Sequence, residues 1–382
     1  MTDSTPSADL RALTDEYWET LLANSPLYAS FLGDHRFDNR ADDLSAAAEQ
    51  THRAALLRMS DRLAALDGGS LDETDAVTRD LLAGDIDVAV RRVELRLIEL
   101  ESDQMQGAHA GLLISAGQLR APAPEHARMA VTRIAAMARM LDQAAERFRE
   151  GLAAGRTPAR INVARSRNQV DGYLGSPIES DPFVGIAGPE DWDGEQAWRA
   201  DLGDAVRDVL RPAFARYRAA LADELEPVAR PDETAGLCHL PDGPEIYQAL
   251  IEQHTGLDLT ADELHEIGLE EATRTIRAEF AEIGSRRFGS ADVTAVFDRL
   301  LNDPSLRYRD GTELLAHADR CLEKANQAMS GWFGILPQAP CVLTPVPDYL
   351  AADVPPAYYT PPTADGSRPG EYHVNLHEPT ER

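Results

Sequence analysis

The sequence predicts a mainly α-helical protein, a large helical array that ends in a small β-sheet or hairpin near the C-terminus. Apolar residues recur every three or four positions through most of the chain, which is the period of one helix face. The pattern changes only after Pro337, where short segments rich in aromatic and β-branched residues follow one another. These two observations together predict the fold class.

The helices of the first half are predicted from the spacing of their apolar residues. One face of the first helix carries Leu10, Leu13, Tyr17, Leu21 and Leu22. Further amphipathic segments lie at 45–66, 74–101, 124–150 and 158–173. Residues 175–194 are dense in Gly and Pro and predict a long loop, a kind of segment that is often functional.

A long helical segment follows at 195–226, and Pro212 inside it should kink or split the helix. The stretch from Glu226 to Gly236 is the best candidate for a boundary. We therefore predict two regions, an N-terminal helical region 1–230 and a region 231–382 that is helical at first and ends in β-strands.

The second region begins its clearest helix at Thr260, because Thr260 and Glu263 form the pattern of a capping box. Two more helices are predicted at 291–301 and 312–330. Strands are expected at 341–346, 357–360 and 371–376. Two strands around a Gly/Pro turn are marginal in water by themselves. We therefore expect the sheet to be completed by residues after Arg382.

The composition is that of a soluble globular protein with a strong excess of acid. The net charge is −28 and the isoelectric point is about 4.7. Such a charge repels phosphate backbones and anionic lipids, so nucleic acids and membranes are excluded as expected partners. The N-terminus has no signal-peptide pattern, and no apolar stretch reaches the length of a membrane span. We expect a cytoplasmic protein whose three cysteines are reduced.

No complete set of catalytic or metal-binding residues can be identified from the sequence. Two His-Glu pairs, at His265 and His377, lack the second histidine that a zinc-binding helix needs four residues after the first. Nucleotide-binding and serine-hydrolase motifs are absent as well. Paired acids such as Asp42-Asp43 are expected on a solvated surface. The sequence therefore predicts no catalytic residue, no metal ligand and no cofactor in this chain.

Three phrases carry a resemblance to one bacterial family. They are Asn24-Ser-Pro-Leu-Tyr-Ala-Ser-Phe-Leu-Gly33 with Asp42-Asp-Leu-Ser45 after it, His254-Thr-Gly-Leu-Asp-Leu-Thr-Ala-Asp-Glu-Leu-His-Glu-Ile-Gly-Leu-Glu-Glu271, and Ala357-Tyr-Tyr-Thr-Pro-Pro with Asp365-Gly-Ser-Arg-Pro-Gly370 and Val374-Asn-Leu376. The chain resembles the domain of unknown function 885 family, relatives of zinc metallopeptidases of the gluzincin type. The resemblance implies a zincin-like fold, in which a His-Glu-x-x-Pro-Gly-His-His segment binds zinc.

This zinc-binding segment does not occur in the 382 residues. The resemblance therefore implies an incomplete zincin-like fold whose second region leads toward a missing metal-binding catalytic region. Zinc is expected in a full-length parent and not in this chain. The parent is expected to hydrolyse peptide or related amide bonds, so its implied partner is a peptide-like substrate.

Four residues are candidates for contact with such a substrate, by analogy with the family. Asn375 would hold a substrate backbone and Arg368 would meet a substrate carboxylate. Tyr358 or Tyr359 would donate a hydrogen bond to a developing oxyanion. The alternative is that the tyrosines pack the sheet and that the segment around Arg368 is a simple turn.

Two functional hypotheses remain open. In the first, the chain is the N-terminal portion of a zinc metallopeptidase-like protein and is catalytically incomplete as given. In the alternative, it is a complete, non-catalytic helical binding or interaction protein derived from that family. The first predicts exposed apolar surface around the terminal strands and aggregation, whereas the second predicts a monodisperse protein. The sequence does not indicate the oligomeric state.

Overall fold

The computed structural model describes residues 5–347, 351, 354–364 and 366–381. They belong to two compact units, which we call unit 1 (Met1–Asp258) and unit 2 (Leu259–Arg382). The predicted fold class is confirmed, since the chain is mainly helical and carries a small sheet near its C-terminus. Within the described residues, no helix has both the length and the apolar character that crossing a membrane requires.

Unit 1 is built from α-helices joined by connections that range from short turns to long loops. In chain order they are α1 (Pro6–Asn24), α2 (Pro26–Phe31), α3 (Ala46–Ala64), α4 (Glu73–Glu94), α5 (Ala108–Ala116), α6 (Pro124–Ala153), α7 (Arg160–Gly175), α8 (Glu195–Ala205), α9 (Arg211–Ala219) and α10 (Gly243–Thr255). The predicted long loop is confirmed, because residues 176–194 contain only the short 3-10 turn Ile178–Ser180 and one isolated bridge residue, Ala187, which pairs with Arg120. The predicted helices at 45–66 and 124–150 correspond to α3 and α6.

The main core of unit 1 forms around α6, whose apolar face is fully buried. Ile134, Met137 and Leu141 of α6 pack with Leu202 of α8 and Phe214 of α9, and all five are at most 1% exposed. A smaller core joins α1, α3 and α4 and contains Leu10, Leu13, Leu56, Met59 and Ile86. Removing this apolar surface from water is the main force that holds the helices together.

The predicted interruption at Pro212 takes the form of a change in helix type. A π-helical segment, Val206–Leu210, lies immediately before α9, and a second one, Ala220–Leu225, follows it. Because Pro212 has no N–H and its ring crowds the preceding turn, a regular α-helix cannot pass through it without loss. The wider π turn accommodates the proline while the chain continues in nearly the same helical direction.

Unit 2 begins with helices that are much less buried. They are α11 (Ala261–Glu270), α12 (Ile276–Phe288), α13 (Val293–Asn302) and α14 (Gly311–Met329), with a π-helical segment, Glu271–Thr275, between the first two. The predicted capping box is confirmed. The Glu263 N–H donates to the Thr260 hydroxyl over 3.2 Å, and the Thr260 N–H donates to the Glu263 carboxylate over 2.9 Å.

Three short strands form the sheet of unit 2. They are β1 (Cys341–Pro345), β2 (Ala357–Thr360) and β3 (Gly370–Val374), in the order β1-β3-β2. β2 and β3 form the predicted antiparallel hairpin, with Tyr358 opposite His373. β1 pairs with β3 in parallel, with Thr344 also opposite His373. The last strand is therefore the central one.

Candidate functional site

The two faces of the sheet in unit 2 differ in character. Strand register places Leu343, Ala357, Tyr359, Tyr372 and Val374 on one face, because residues opposite each other in a ladder point the same way. A cavity of about 430 Å³ lies at this face and is also lined by residues of α14 such as Cys321. Ala357, Tyr372 and Val374 of this apolar face lie toward α14, whereas Tyr359 on the same face is exposed.

The other face, which we call the polar face, carries Thr344, Tyr358, Thr360, Glu371 and His373, together with the apolar Val342. The Tyr358 and His373 rings are stacked, with centroids 4.5 Å apart and an interplanar angle of 16°. The Nε2 atom of His373 lies 3.6 Å from a carboxylate oxygen of Glu371. An aromatic phenol, an imidazole and a carboxylate are thus placed side by side.

His373 is the group on this face with the most unsatisfied hydrogen-bonding capacity. Its side chain is 5% exposed, and in the described part of the chain neither ring nitrogen has a hydrogen-bond partner. Burial lowers the pKa of His373 from its usual value, and the nearby Glu371 carboxylate opposes this only in part. At neutral pH the imidazole is therefore uncharged and is able to accept a proton or a hydrogen bond.

Arg368 lies in the turn between β2 and β3 and reaches the edge of the polar face. Its Nη1 is 3.5 Å from the Glu371 carboxylate, and its Nη2 donates to the Pro361 carbonyl over 3.1 Å. The Arg368 backbone N–H donates to the Thr363 hydroxyl over 2.9 Å. These contacts fix the guanidinium within the turn, where it pairs with a carboxylate of the same chain.

Asn375 follows β3 directly and is completely buried. Its amide group donates to the carbonyls of Ala351 over 2.7 Å, Val354 over 3.2 Å and Pro355 over 3.3 Å. Its Oδ1 accepts from the His377 N–H over 2.9 Å. In this arrangement the side chain holds the segment before β2 against the end of β3.

Tyr359 lies on the opposite face from Tyr358 and is the most exposed of the four candidates, at 54%. Its hydroxyl sits directly over the backbone of Gly370, where an added Cβ would lie only 2.4 Å from the oxygen. A side chain at position 370 would therefore have to displace the Tyr359 hydroxyl. The strand that carries Tyr359 is at the outer edge of the sheet.

Tyr358 and Arg368 are linked by a chain of contacts: Tyr358 stacks on His373, His373 lies near Glu371, and Glu371 lies near Arg368. Tyr359 and Asn375 are not part of this chain. Among the described strands, β3, which precedes Asn375, has a strand on each side and no free edge. Glu371 and His373 were missed, although their two-residue spacing within a strand would have predicted a shared face.

A metal site requires several donors that converge on one point. Across the described residues, no group of three or more His, Cys, Asp or Glu side chains is close enough to hold a metal ion. His373 and Glu371 supply two donors only, and His377 lies near only Glu378, at 3.8 Å. The described residues do not fit a zinc site, so we assign no catalytic step to them.

Comparison with solved structures shows a shared fold. A "putative lipoprotein from Colwellia psychrerythraea" matches 98% of this chain and 68% of its own, with a TM-score of 0.86 and 20% identity. A "putative lipoprotein of unknown function from Shewanella oneidensis" matches 98% of this chain and 65% of its own, with a TM-score of 0.62 and 15% identity. This chain thus spans about two thirds of the length of each.

Comparison of the sequence with known proteins gives one family. No curated protein matches it at a significant level. Residues 26–382 match the family described as bacterial protein of unknown function (DUF885). This match covers nearly the whole chain, including both units and the residues of the polar face. The protein therefore belongs to the DUF885 family of bacterial proteins.

Proposed function

We propose that this chain binds extended peptides along the outer edge of its sheet, as part of the substrate site of a peptide- or amide-hydrolysing protein. The observation that carries the proposal is the position of β2. It is an outer strand of the sheet, it bears the exposed Tyr359, and it adjoins the polar face through Tyr358. The resemblance of the sequence to the DUF885 family, whose members resemble gluzincin-type metallopeptidases, supports the same proposal.

The physical basis is the pairing of a peptide with an edge strand. An outer strand presents backbone N–H and C=O groups that an extended peptide can use as a further strand of the sheet. The side chains of such a peptide alternate between the two faces. One set would contact Tyr359, while the other would contact Tyr358 and the polar groups beside it.

The candidate residues then have distinct roles. Tyr359 packs against the bound peptide, and Tyr358 lines the polar face with His373, which accepts a hydrogen bond from the substrate. Arg368 binds a substrate carboxylate, which replaces the Glu371 carboxylate as the partner of its guanidinium. Asn375 acts indirectly, because its amide group holds the segment that leads into β2.

The proposed hydrolysis is supported by the family resemblance alone. No set of metal-binding side chains among the described residues supports it. Because these residues do not form a three-donor group, we expect the 382-residue chain to bind less than one zinc ion per chain and to have no peptidase activity. Tight one-to-one zinc binding in a calorimetric titration would contradict this. Peptide binding is a separate expectation and is tested separately.

The test uses a blocked peptide, acetyl-Ala-Val-Ala-Val-Ala-amide, and the same peptide N-methylated at alternate residues. N-methylation removes backbone donors and keeps the side chains. Two lost hydrogen bonds at about 1 kcal/mol each should weaken binding roughly 10- to 30-fold. Equal affinity of the two peptides for the full chain would rule out strand pairing.

Variants then locate the binding site. Tyr359→Ala should weaken binding of the unmodified peptide by about tenfold, since an exposed aromatic contact is lost. Tyr359→Phe keeps the ring and should stay close to the parent. Tyr247→Ala, at an exposed tyrosine of α10, is the matched control. If Tyr247→Ala and Tyr359→Ala bind the peptide equally well, the peptide does not lie along β2.

A further inference from the structure

Unit 1 contains a cavity of about 420 Å³ between α2, α5 and α6. Its volume falls within the usual range for small-molecule sites. The walls are mainly apolar and include Phe31, Ile98, Ile114, Met140 and Phe148. Ile114 and a further lining residue, Tyr28, are each 43% exposed, so the cavity is open to solvent.

Two carboxylates line this apolar space, those of Asp42 and Glu101. Asp42 lines the cavity and also a smaller depression of about 270 Å³ that shares Leu44, Ile98 and Glu101 with it. Asp42 is half-buried, whereas the adjacent Asp43 is exposed. Oδ1 of Asp42 accepts one backbone N–H, from Leu27, over 3.3 Å.

Asp42 differs from the other acids nearby in having no cationic partner. Glu101 is paired with Arg92, and the buried Arg133 is committed to Asp38 at 3.0 Å. Across the residues that the structure describes, no arginine, lysine or histidine lies within ion-pair distance of Asp42. Its carboxylate is thus an unmatched negative charge at the wall of an apolar cavity.

The electrostatics of Asp42 agree with this geometry. Burial raises the pKa of its carboxyl to about 6, and the Leu27 N–H and the more distant Arg133 oppose the rise. At pH 7 about nine in ten of these carboxyls are still ionised. An ionised group in such a place gains strongly from a cation that also displaces water from the apolar walls.

We propose that this cavity is a binding site for a small organic amine, with its apolar body between α2, α5 and α6 and its ammonium group on the Asp42 carboxylate. The net charge of −28 attracts cations to the molecule in general. The apolar walls then select a cation with an aromatic or alkyl body over a hydrated metal ion. This site lies within unit 1 and does not depend on peptide binding in unit 2.

The test compares three probes of the same shape and different charge: 3-phenylpropylamine, 3-phenylpropan-1-ol and 3-phenylpropanoate. Isothermal titration of the full chain at neutral pH and low salt should give the amine at least about tenfold higher affinity than the alcohol. The anionic acid should not bind. If the alcohol equals the amine, or if no probe binds at millimolar concentration, the proposal fails.

Two variants separate charge from shape. Asp42→Asn should weaken amine binding by about tenfold or more and leave alcohol binding nearly unchanged. Gly111→Leu should remove binding of both, because Gly111 lines the cavity and an added Cβ meets no atom within 4 Å. Gly84→Leu, at an equally open helical glycine of α4, is the control and should bind like the parent. Unchanged amine affinity in Asp42→Asn would overturn the assignment.

Discussion

Buried polar residues connect the helices of unit 1, and His109 joins three of them. The imidazole is fully buried at the start of α5. Its Nε2 lies 3.0 Å from the side-chain oxygen of Gln169 in α7, and its Nδ1 lies 3.3 Å from the hydroxyl of Tyr217 in α9. Neutral hydrogen bonds satisfy both ring nitrogens, so protonation of this histidine would place an unpaired charge in the core.

The stability of unit 1 should therefore fall on mild acidification. Burial lowers the pKa of His109 to about 4, whereas an unfolded histidine titrates near 6.5. Between these values the unfolded chain binds the extra proton, so this contribution is complete above about pH 6.5 and is lost as the pH falls toward 4. The full loss is about 3 kcal/mol. Amide hydrogen exchange in α7 and α9 at several pH values measures it.

A variant identifies His109 as the source of this dependence. His109→Gln should be less stable than the parent at neutral pH by about 1–3 kcal/mol, because one hydrogen bond and part of the ring packing are lost. Its stability should then change less between about pH 6.5 and about pH 4.5. His254→Gln, at an exposed position of α10, is the control. The same pH slope in parent and His109→Gln would assign the effect to other groups.

At the scale of elements, the beginning of α11 depends on side chains that the sequence identifies. The Thr260 hydroxyl and the Glu263 carboxylate each satisfy a backbone N–H that has no partner within the helix. Because α11 has no fully buried residue, little tertiary packing compensates for a lost cap. Helix ends of this kind respond directly to changes in capping.

Thr260→Ala should therefore loosen the first turn of α11 by about 1 kcal/mol, the usual value of an N-cap hydroxyl. Faster amide exchange in the first turn of α11 is the measurement. Thr273→Ala is the control. Its hydroxyl donates to the Leu269 carbonyl within the helix, and alanine is the better helix former at such a position. Unchanged exchange in Thr260→Ala would mean that packing, and not the cap, fixes the start of α11.

Elements with a strong local signal were predictable, and others were not. Long amphipathic helices such as α3 and α6 lie within a few residues of their predicted bounds. α5 was missed because residues 108–116 are almost all small or apolar and show no periodic polar face. α10 was missed because Gly243 and Pro244 at its start suggest a turn. α5 carries His109 and forms one wall of the cavity, so neither the buried histidine nor the cavity could be predicted without this helix.

The sheet shows a second limit, which is the distance along the chain between paired strands. The β2–β3 hairpin has a local turn signal, but β1 pairs with β3 across more than twenty residues. Residue type does not specify such a partner. His373 meets Tyr358 through the β2–β3 register and Glu371 within its own strand, whereas β1 covers the other side of β3 only through the long-range pairing. The sequence therefore predicts which segment carries the site, but it does not predict how the side chains of that segment are arranged.

At the scale of the whole molecule, large apolar side chains remain exposed in unit 2. The segment that joins α14 to β1 contains Trp332, which is 83% exposed, Phe333 at 62% and Ile335 at 91%. Several apolar residues of α13 are also exposed, among them Phe297 and Leu301. Contiguous apolar surface of this kind usually marks a site of contact with another molecule or a tendency to aggregate.

The protein should accordingly bind a hydrophobic dye and associate with itself as its concentration rises. The triple variant Trp332→Ser, Phe333→Ser and Ile335→Ser should reduce dye fluorescence severalfold and shift the sedimentation profile toward a single small species. Because these side chains are mostly in water already, we expect a stability change within about 1 kcal/mol. Dye fluorescence and sedimentation velocity of both proteins are the measurements.

The control is Val77→Ser with Leu81→Ser, two exposed apolar positions on α4 in unit 1 that are 56% and 66% exposed. This pair should leave dye binding and sedimentation nearly unchanged, because the apolar residues of α4 do not belong to the 332–335 segment. A parent protein that is monodisperse and binds no dye would contradict the prediction. That outcome would favour the alternative function, a non-catalytic helical binding protein. It would count against the hypothesis that the chain is part of a hydrolase in which other residues cover this apolar surface.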